Sequence, residues 1–567
     1  MKTIRISRHP AGIVVIAALL LAAATWLLPP GAVWITDNGN KYIVMRNVLE
    51  TGSLAIESAE PEFFPRGGFH FLRYRDGIHS FHAPWFALLS APFYRIFGER
   101  GVVVLPLLSL LALLGVFQYL YRNRLLTLLL ALATPLWFYS LLLWEMVPAA
   151  LITLMGAALV IFRAASGEDR FSGTVFAGGA ILGCGLWLRE ELYIAAAALT
   201  LAMLLCRRWR GALALFGGFV VAAAPLWLTN LLCFDHILGL HGRYYYLNNR
   251  PAGFSLLEEL TGTIWNYYHH LLRFDVDVRG GALNLLGPLA TAAAVAAGAA
   301  RKPHDWRVFK FAALMFSGLA GVICAGMLFT HPAPALATGM TAGLWSSVPL
   351  FGGFLINWRP LLCSRSPRVR LTARFVTICV LAAPPLFTRN DIGLTWGARH
   401  FLMIMPFLLV LSWRGIVMAG FGRRRFVTVL TAVTAGALLI EIWGFTTLRT
   451  VTRENRAAEE FIAGFPSQVV VSDIFFLPEQ TPRLFFSRQW LGIENDADGE
   501  ALLHHLEERG VDRFTLVLSP RFRRISDATL AKILTSYPPV AEPVAFSYPN
   551  GGGIMELLAV ECRRSGE

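Results

Sequence analysis

The run VVVLPLLSLLALLGVFQYLYRNR, residues 102–124, sets the terms on which the whole chain is read. Nothing from Val102 to Tyr121 carries a charge. At about 1.5 Å of rise per residue such a helix covers the roughly 30 Å of hydrocarbon in a bilayer. Arg122 and Arg124 close it. Runs of this kind recur through the 567 residues, and hydrophobic residues make up 55% of the chain against 15% charged. Soluble domains carry roughly a quarter charged residues, so a string of soluble domains is excluded and most of the chain belongs in lipid.

Working outward from that run, the spacing predicts about thirteen crossings. The first, Ala11 to Leu28, follows Lys2, Arg5 and Arg8. It lacks a small-residue cleavage site before Pro29-Pro30 and reads as an uncleaved anchor. Later spans begin near Val102, Leu125, Val147, Val175, Leu192, Ala212, Ala282, Phe311, Leu344, Phe375, Phe401 and Val427. Basic clusters fall at alternate connections: Arg122/Arg124, Arg207/Arg208/Arg210, Arg301/Lys302/Arg307, Arg359 through Arg374, and Arg423/Arg424/Arg425. Basic short loops stay cytoplasmic, so the amino terminus is expected inside and everything after about Thr447 outside. The expected division is a membrane region, residues 1–446, and an extracytoplasmic domain, residues 447–567, on a bacterial cytoplasmic (inner) membrane with the tail in the periplasm. The net charge of +13 is thereby a topology signal and not a footprint for nucleic acid. The seven cysteines show no regular spacing and sit mostly in apolar stretches, which implies neither a disulfide framework nor a zinc site.

Three outer stretches exceed simple turns. The first loop, about Pro30 to Arg100, holds two helical patterns expected to lie in the interface plane. One is Asn40 to Thr51, with Lys41, Arg46, Asn47 and Glu50 largely opposite Val44, Met45, Val48 and Leu49; the other is the aromatic Pro84 to Phe97. A second loop, about Phe234 to Gly281, carries Tyr244-Tyr245-Tyr246 and His269-His270. The tail after Thr447 is ordinary soluble sequence. Val469 to Val471, Phe514 to Leu518 and Ile554 to Val560 read as strands, and Ala497 to Arg509 and Asp527 to Thr535 as helices, giving a small α/β domain.

Ionisable residues inside a span are costly and usually functional, and here the spans are almost free of them, with Glu441 the main exception. The acids gather at the outer helix ends: Asp37, Glu145, Glu190-Glu191, Asp275, Asp277 and Asp391. Lys41, His79, His82, Arg189, Arg243, Arg399 and His400 lie at the same level. A polar bowl at one membrane face suits group transfer from a lipid-linked phosphate. The departing phosphate stays anionic near neutral pH, so the chemistry needs a carboxylate to take a hydroxyl proton and cations to hold the phosphate. Asp37 with Lys41, His82 and Arg399 supplies both.

Thr36-Asp37-Asn38-Gly39-Asn40-Lys41-Tyr42, followed by Asn47 to Gly52, resembles the first outer loop of the GT-C superfamily of membrane glycosyltransferases. His82-Ala83-Pro84-Trp85 with Ala91-Pro92-Phe93-Tyr94 is similar to its second loop helix. Leu188-Arg189-Glu190-Glu191 resembles a Leu-Arg-Pro-Glu turn, and Trp396-Gly397-Ala398-Arg399-His400-Phe401 a Gly-x-Arg-Tyr segment. The resemblance runs through the membrane region in order and implies a GT-C-like, polytopic α-helical fold. It implies transfer of a sugar from a polyprenyl-phosphate donor to a lipid, glycan or protein acceptor, similar to the aminoarabinose transferases and protein O-mannosyltransferases. The first-loop acid of that family is its catalytic carboxylate and maps onto Asp37, which a single displacement with inversion would use as general base. Aminoarabinose transferases carry Lys-Pro-Pro where this chain has His82-Ala83-Pro84, and a neutral imidazole brings no charge to a phosphate. Members with two acids or a metal often show Asp-Glu where Asn38 follows Asp37 here. No metal ligand is assigned, and a divalent metal stays open.

Each residue has a plainer reading beside the chemical one. Asp37 is also placed to cap the helix that follows. Glu145 is a second acid or a helix end beside an interfacial Trp. Arg399 holds phosphate or anchors a span at the headgroups. Arg189 with Glu190 and Glu191 is an ion-paired helix end or part of the substrate contact that Tyr245 and His400 would share. Adjacent His269-His270 make no metal site without further ligands. A lipid-linked-sugar flippase or other transporter is the main alternative, and a membrane-anchored scaffold for the tail the second.

Overall fold

Apolar runs punctuated by Gly, Pro and Arg fold as helices, and helices dominate the computed structural model. It describes the chain except for residues 1–10, 57–62, 64–69, 76, 165–170, 249–255, 268–270, 272–281, 301, 303, 331–342, 387–397, 521–522, 551–552 and 566–567. Among the described residues, Trp85–Tyr121, Met146–Ala164, Trp209–Phe234, Arg399–Met418 and Arg423–Ala463 are long and apolar enough to cross a membrane. Val14–Leu27, Gly173–Gly185 and Leu192–Leu205 are apolar but shorter. The chain is a multi-pass α-helical membrane protein with a small C-terminal sheet domain.

Two of the expected spans are not single helices. The one expected near Leu125 breaks into Arg124–Leu132 and Leu136–Ser140, because Pro135 cannot continue a helix through its missing N–H. The one expected near Leu344 is a series of short turns, Leu344–Ser347, Pro349–Phe351, Gly352–Leu355 and Trp358–Leu362, broken where Pro349 and the Gly352-Gly353 pair fall. Irregular backbone at membrane depth must be sheltered by protein. Here it is, since Leu141 to Glu145 and Val348 to Phe354 are buried throughout.

The first loop carries the site. After the opening helix α1 (Ala11–Leu27), α2 begins at Thr36 rather than Asn40 and runs to Thr51, where Gly52 adopts φ 73° and ends it. Its polar side is divided: Lys41 and Asn47 are buried along with Tyr42 to Met45, while Arg46 is half-buried and pairs with the exposed Glu50. A hairpin follows, β1 (Phe71–Tyr74) with β2 (Gly77–Ser80), in the register Phe71 opposite Ser80. The Phe81 N–H donates to the His70 carbonyl at 2.9 Å, so His70 and His82 are set side by side at the hairpin's open end. Helix α3 (Trp85–Phe97) matches the expected second loop helix and passes through one tight turn into Val104–Tyr121.

The C-terminal domain is a five-stranded sheet in the order β4-β3-β5-β7-β6, with β3 (Val469–Ser472), β4 (Gln489–Gly492), β5 (Arg513–Leu518), β6 (Val544–Asn550) and β7 (Gly553–Arg563). β3 pairs in parallel with β4 and β5, while β7 is antiparallel to β5 and β6. Helices Asp496–Glu508 and Asp527–Ser536 cover one face, each capped by a side chain, Asn495 and Ser526, that accepts the orphan N–H of its first turn. Just past β3, Asp473 is buried, and its Oδ1 accepts the Ser519 N–H at 3.3 Å.

This domain is not a pendant. The helix Arg423–Ala463 runs unbroken through position 447, about 60 Å at helical rise. The division expected between residues 446 and 447 therefore falls inside one helix. Asn455 near its end donates to the Val33 carbonyl at 3.0 Å, and Arg483 reaches Glu99 at 2.9 Å and the Pro30 carbonyl at 2.9 Å. Ile43, Ile56, Phe71 and Ile78 of the first loop share one apolar core with Ala458, Ile462, Leu477 and Trp490.

Candidate active site

Asp37 lies in the first turn of α2, with Ile35 at the cap position, so its carboxylate is free of the capping duty that the sequence left open. The turn itself is held by Asn38, which accepts the Ile35 N–H at 3.3 Å and donates to the Leu143 carbonyl at 3.1 Å. Asp37 Oδ1 stands 3.0 Å from His70 Nε2 and 3.8 Å from His82 Nε2, and its Oδ2 stands 3.7 Å from Arg399 Nη1. One turn along α2, Lys41 brings Nζ to 3.5 Å from Glu145 Oε2.

The other expected charges complete a network. Glu145 Oε1 accepts from Arg189 at 2.8 Å, and Arg189 Nε also donates to Glu191 at 2.7 Å. Glu191 in turn faces His400 Nδ1 at 3.0 Å, and Arg399 Nε donates to His400 Nε2 at 3.2 Å. Asp37, Lys41, His82, Glu145, Arg189, Arg399 and His400 thus converge, as charges placed where water is scarce must. Trp144 forms the floor, with Lys41 at 5.8 Å and Arg399 at 5.9 Å over its ring. The buried Trp144 Nε1 and His82 Nε2 have no hydrogen-bond partner among the described residues.

Other expected residues go elsewhere. His79 packs on Tyr74 and Phe234, Arg243 donates to the Phe234 carbonyl at 3.2 Å, and Glu190 pairs with His241 at 3.0 Å. Glu441 is buried and accepts from Trp137 Nε1 at 3.0 Å. Tyr245 lies on the helix Gly239–Asn248, but its side chain falls outside the described residues, as do His269, His270, Asp275, Asp277 and Asp391.

Two central residues were missed by the sequence reading. His70 lies between Asp37 and Glu479, with Nδ1 at 3.1 Å from Glu479 Oε2. Glu479 belongs to the C-terminal domain, in the short helix Leu477–Gln480, and it also accepts from Asn40 at 3.2 Å. The approach is close enough that a Cβ on Gly39 would lie 1.5 Å from the Glu479 carbonyl oxygen. A third histidine in the short stretch with His79 and His82 was the available signal for His70. Leu477-Pro478-Glu479-Gln480 gave none, because only docking of the tail brings it to the loop.

Electrostatics set distinct protonation states. Burial pushes the Asp37 carboxyl up, but the charge and hydrogen bond of His70, with the charge of Lys41, outweigh it and hold Asp37 well below the usual range. Burial pushes His70 down, and the carboxylates of Glu479 and Asp37 more than reverse this, raising it to about 9. His82 is driven well below its ordinary value by burial and by Lys41 and His70. At neutral pH the site therefore holds a carboxylate, an imidazolium between two acids and a neutral imidazole. Beside it opens a small hollow lined by residues including Phe81, His82, Trp85, Tyr193 and His241.

No protein-family model matches the chain, and no curated protein matches it. Among solved structures, 97% of the chain is similar to 98% of ArnT from Cupriavidus metallidurans bound to undecaprenyl phosphate, at 14% identity and a TM-score of 0.49. The apo state of the same ArnT gives 13% identity and a TM-score of 0.48 over the same shares. At these values the likeness carries no argument about chemistry, which rests on the geometry of the site.

Proposed function

We propose that the chain is a glycosyltransferase that moves a sugar from a polyprenyl-phosphate donor to an acceptor at the outer face of the cytoplasmic membrane, with the C-terminal domain on that same side. One observation carries the reading: an ionised Asp37 stands 3.7 Å from Arg399, and Arg399 and Lys41 both lie against the ring of Trp144, whose buried Nε1 has no hydrogen-bond partner among the described residues. Leaving a buried N–H donor unsatisfied costs about 1–3 kcal/mol, and in this reading a phosphate oxygen of the lipid donor satisfies Trp144 Nε1.

In the proposed reaction the acceptor hydroxyl attacks the anomeric carbon as the bond from that carbon to the phosphate oxygen breaks. The new carbon–oxygen bond forms on the opposite face, so the centre inverts. Polyprenyl phosphate leaves as an anion held by Arg399, Lys41 and the Trp144 N–H. Asp37 takes the hydroxyl proton. Its strongly lowered basicity suits a late transfer, when bond formation has already made that proton acidic. His70 donates to Asp37 Oδ1 and fixes the carboxylate, while Glu479 fixes His70. Phe81, which stacks on His82 and on His241, lines the hollow beside the site together with Trp85, aromatic surface of the kind that packs on a sugar.

The test is Asp37→Asn in purified protein, read as release of undecaprenyl phosphate from a panel of undecaprenyl-phosphate sugars with an envelope lipid extract as acceptor. The variant is expected to stay folded and to lose turnover at least a hundredfold. Turnover equal to wild type would remove Asp37 from the chemistry.

A further inference from the structure

We propose that Asp37, His70 and His82 form a binding site for one divalent transition-metal ion of the zinc class. Their ligand atoms all lie within 4.8 Å of one another, with Asp37 Oδ1 at 3.0 Å from His70 Nε2 and 3.8 Å from His82 Nε2. Tetrahedral zinc with bonds near 2.0 Å sets its ligand atoms about 3.3 Å apart, so the His70 and His82 rings, whose planes stand 33° apart at a centroid distance of 4.5 Å, must rotate to aim at a common point beside Asp37. Two imidazoles and one carboxylate are a common donor set for zinc or ferrous iron, and three protein ligands leave a coordination position open.

Two further observations point the same way. The first is the support around His70, whose Nδ1 faces Glu479 at 3.1 Å. A metal-bound imidazole characteristically gives its second N–H to a carboxylate, which fixes the tautomer and aims the other nitrogen at the ion. Glu479 is itself held by Asn40 at 3.2 Å, Asn40 accepts from Ser80 Oγ at 2.6 Å, and that oxygen accepts the His82 N–H at 3.1 Å. One polar chain therefore runs from the His70 ring to the His82 backbone. The second is His82 Nε2, which is buried and has no hydrogen-bond partner among the described residues. That nitrogen is an atom through which an imidazole binds a metal. When the ion enters, the proton on His70 Nε2 leaves to solvent and the metal takes its place between the rings and the carboxylate.

The charges accommodate the exchange. Asp37, Glu145, Glu191 and Glu479 face the permanent cations Lys41, Arg189 and Arg399, an excess of one negative charge when His70 is neutral. A dication turns that into an excess of one positive charge, which favours an anionic phosphate at the open position. That last use of the ion rests on the glycosyl-transfer reading; its binding does not.

The experiment uses the full chain purified in detergent, stripped with chelator, equilibrated with zinc chloride and desalted, with zinc counted by elemental analysis and cobalt used as a spectroscopic stand-in. About one zinc per chain is expected, with visible cobalt bands of a four-coordinate site. His82→Ala removes both. Glu479→Gln weakens zinc binding about 10–100-fold, as loss of an outer carboxylate does. His504→Ala, at an exposed residue of the C-terminal domain, leaves binding unchanged. Thermal melts confirm that the variants remain folded. No retained zinc in wild type, or the same amount in wild type and His82→Ala, overturns the site. Zinc retained as described by a chain that transfers sugar equally well without it overturns the ion's use at the phosphate and leaves the site standing, and a chain that binds zinc as described yet turns over no donor leaves the site standing and overturns the transfer reading.

Discussion

A single methyl group tests whether the C-terminal domain truly closes on the first loop. In Gly39→Ala the new carbon would sit 1.5 Å from the Glu479 carbonyl oxygen and 2.6 Å from its carbon. Carbon and oxygen in contact need about 3.3 Å or more, so the helix Leu477–Gln480 must retreat by close to 2 Å. The bonds from Glu479 to His70 at 3.1 Å and to Asn40 at 3.2 Å would then exceed hydrogen-bond range. Overpacking alone costs about 1–3 kcal/mol. Parting a buried carboxylate from its charged partner costs about 3–5 kcal/mol. Both arise from one displacement and do not simply add, so a loss of about 3 kcal/mol or somewhat more is expected. The assay is thermal unfolding of the purified chain together with limited proteolysis of the tail, where the variant melts earlier and is cut faster. Gly115→Ala is the control: a methyl there meets nothing within 4 Å, and a helical alanine is worth about 0.5–1 kcal/mol over glycine. A Gly39→Ala protein with the melting point and protease resistance of wild type would refute the docked arrangement.

Two other perturbations bear on separate parts of the molecule. Burial pushes the Asp473 carboxyl up to about 6, so the folded state takes up a proton more readily than the unfolded one, and stability falls as pH rises from about 4 through 6. Asp473→Asn should flatten that slope and stabilise the C-terminal domain at pH 7.5 by up to about 3 kcal/mol, measured by denaturant unfolding at several pH values; matching slopes for variant and wild type would contradict it. Arg399→Lys keeps the charge but loses the planar fork over Trp144, and a charge-assisted bond of about 1.5–3 kcal/mol predicts a 10–100-fold rise in KM for the lipid donor. Unchanged donor kinetics would return Arg399 to a purely structural role.

What could be read from the sequence follows from which forces are local. Runs such as residues 102–124 announce helices because lipid tolerates little else, and the apolar strands at Val469 and Phe514 stand out from their polar surroundings. The short β4 and the Pro-containing β6 did not stand out, since their pairing depends on neighbours far along the chain. Counting apolar residues also hid the breaks at Pro135 and Pro349, which weigh little in hydrophobicity and heavily in backbone geometry. At the site, Asp37, Glu145, Arg189 and Arg399 were visible because isolated charges beside apolar runs demand partners. The polar side of α2 misled: Lys41 and Asn47 suggested an exposed face, whereas Glu145 and a second domain cover it. Contacts between residues hundreds of positions apart, such as Asn40 with Glu479, leave no mark in either neighbourhood.

The uninterrupted rod from Arg423 to Ala463 has a consequence for how such a protein can diversify. With no hinge between bundle and tail, there is no seam at which a recombination event or an engineer could exchange one module and spare the other. Grafting a foreign tail would replace the acid that steadies His70. Changes in the tail would then have to arise by substitution at its rim, with the rod and its buttress kept intact.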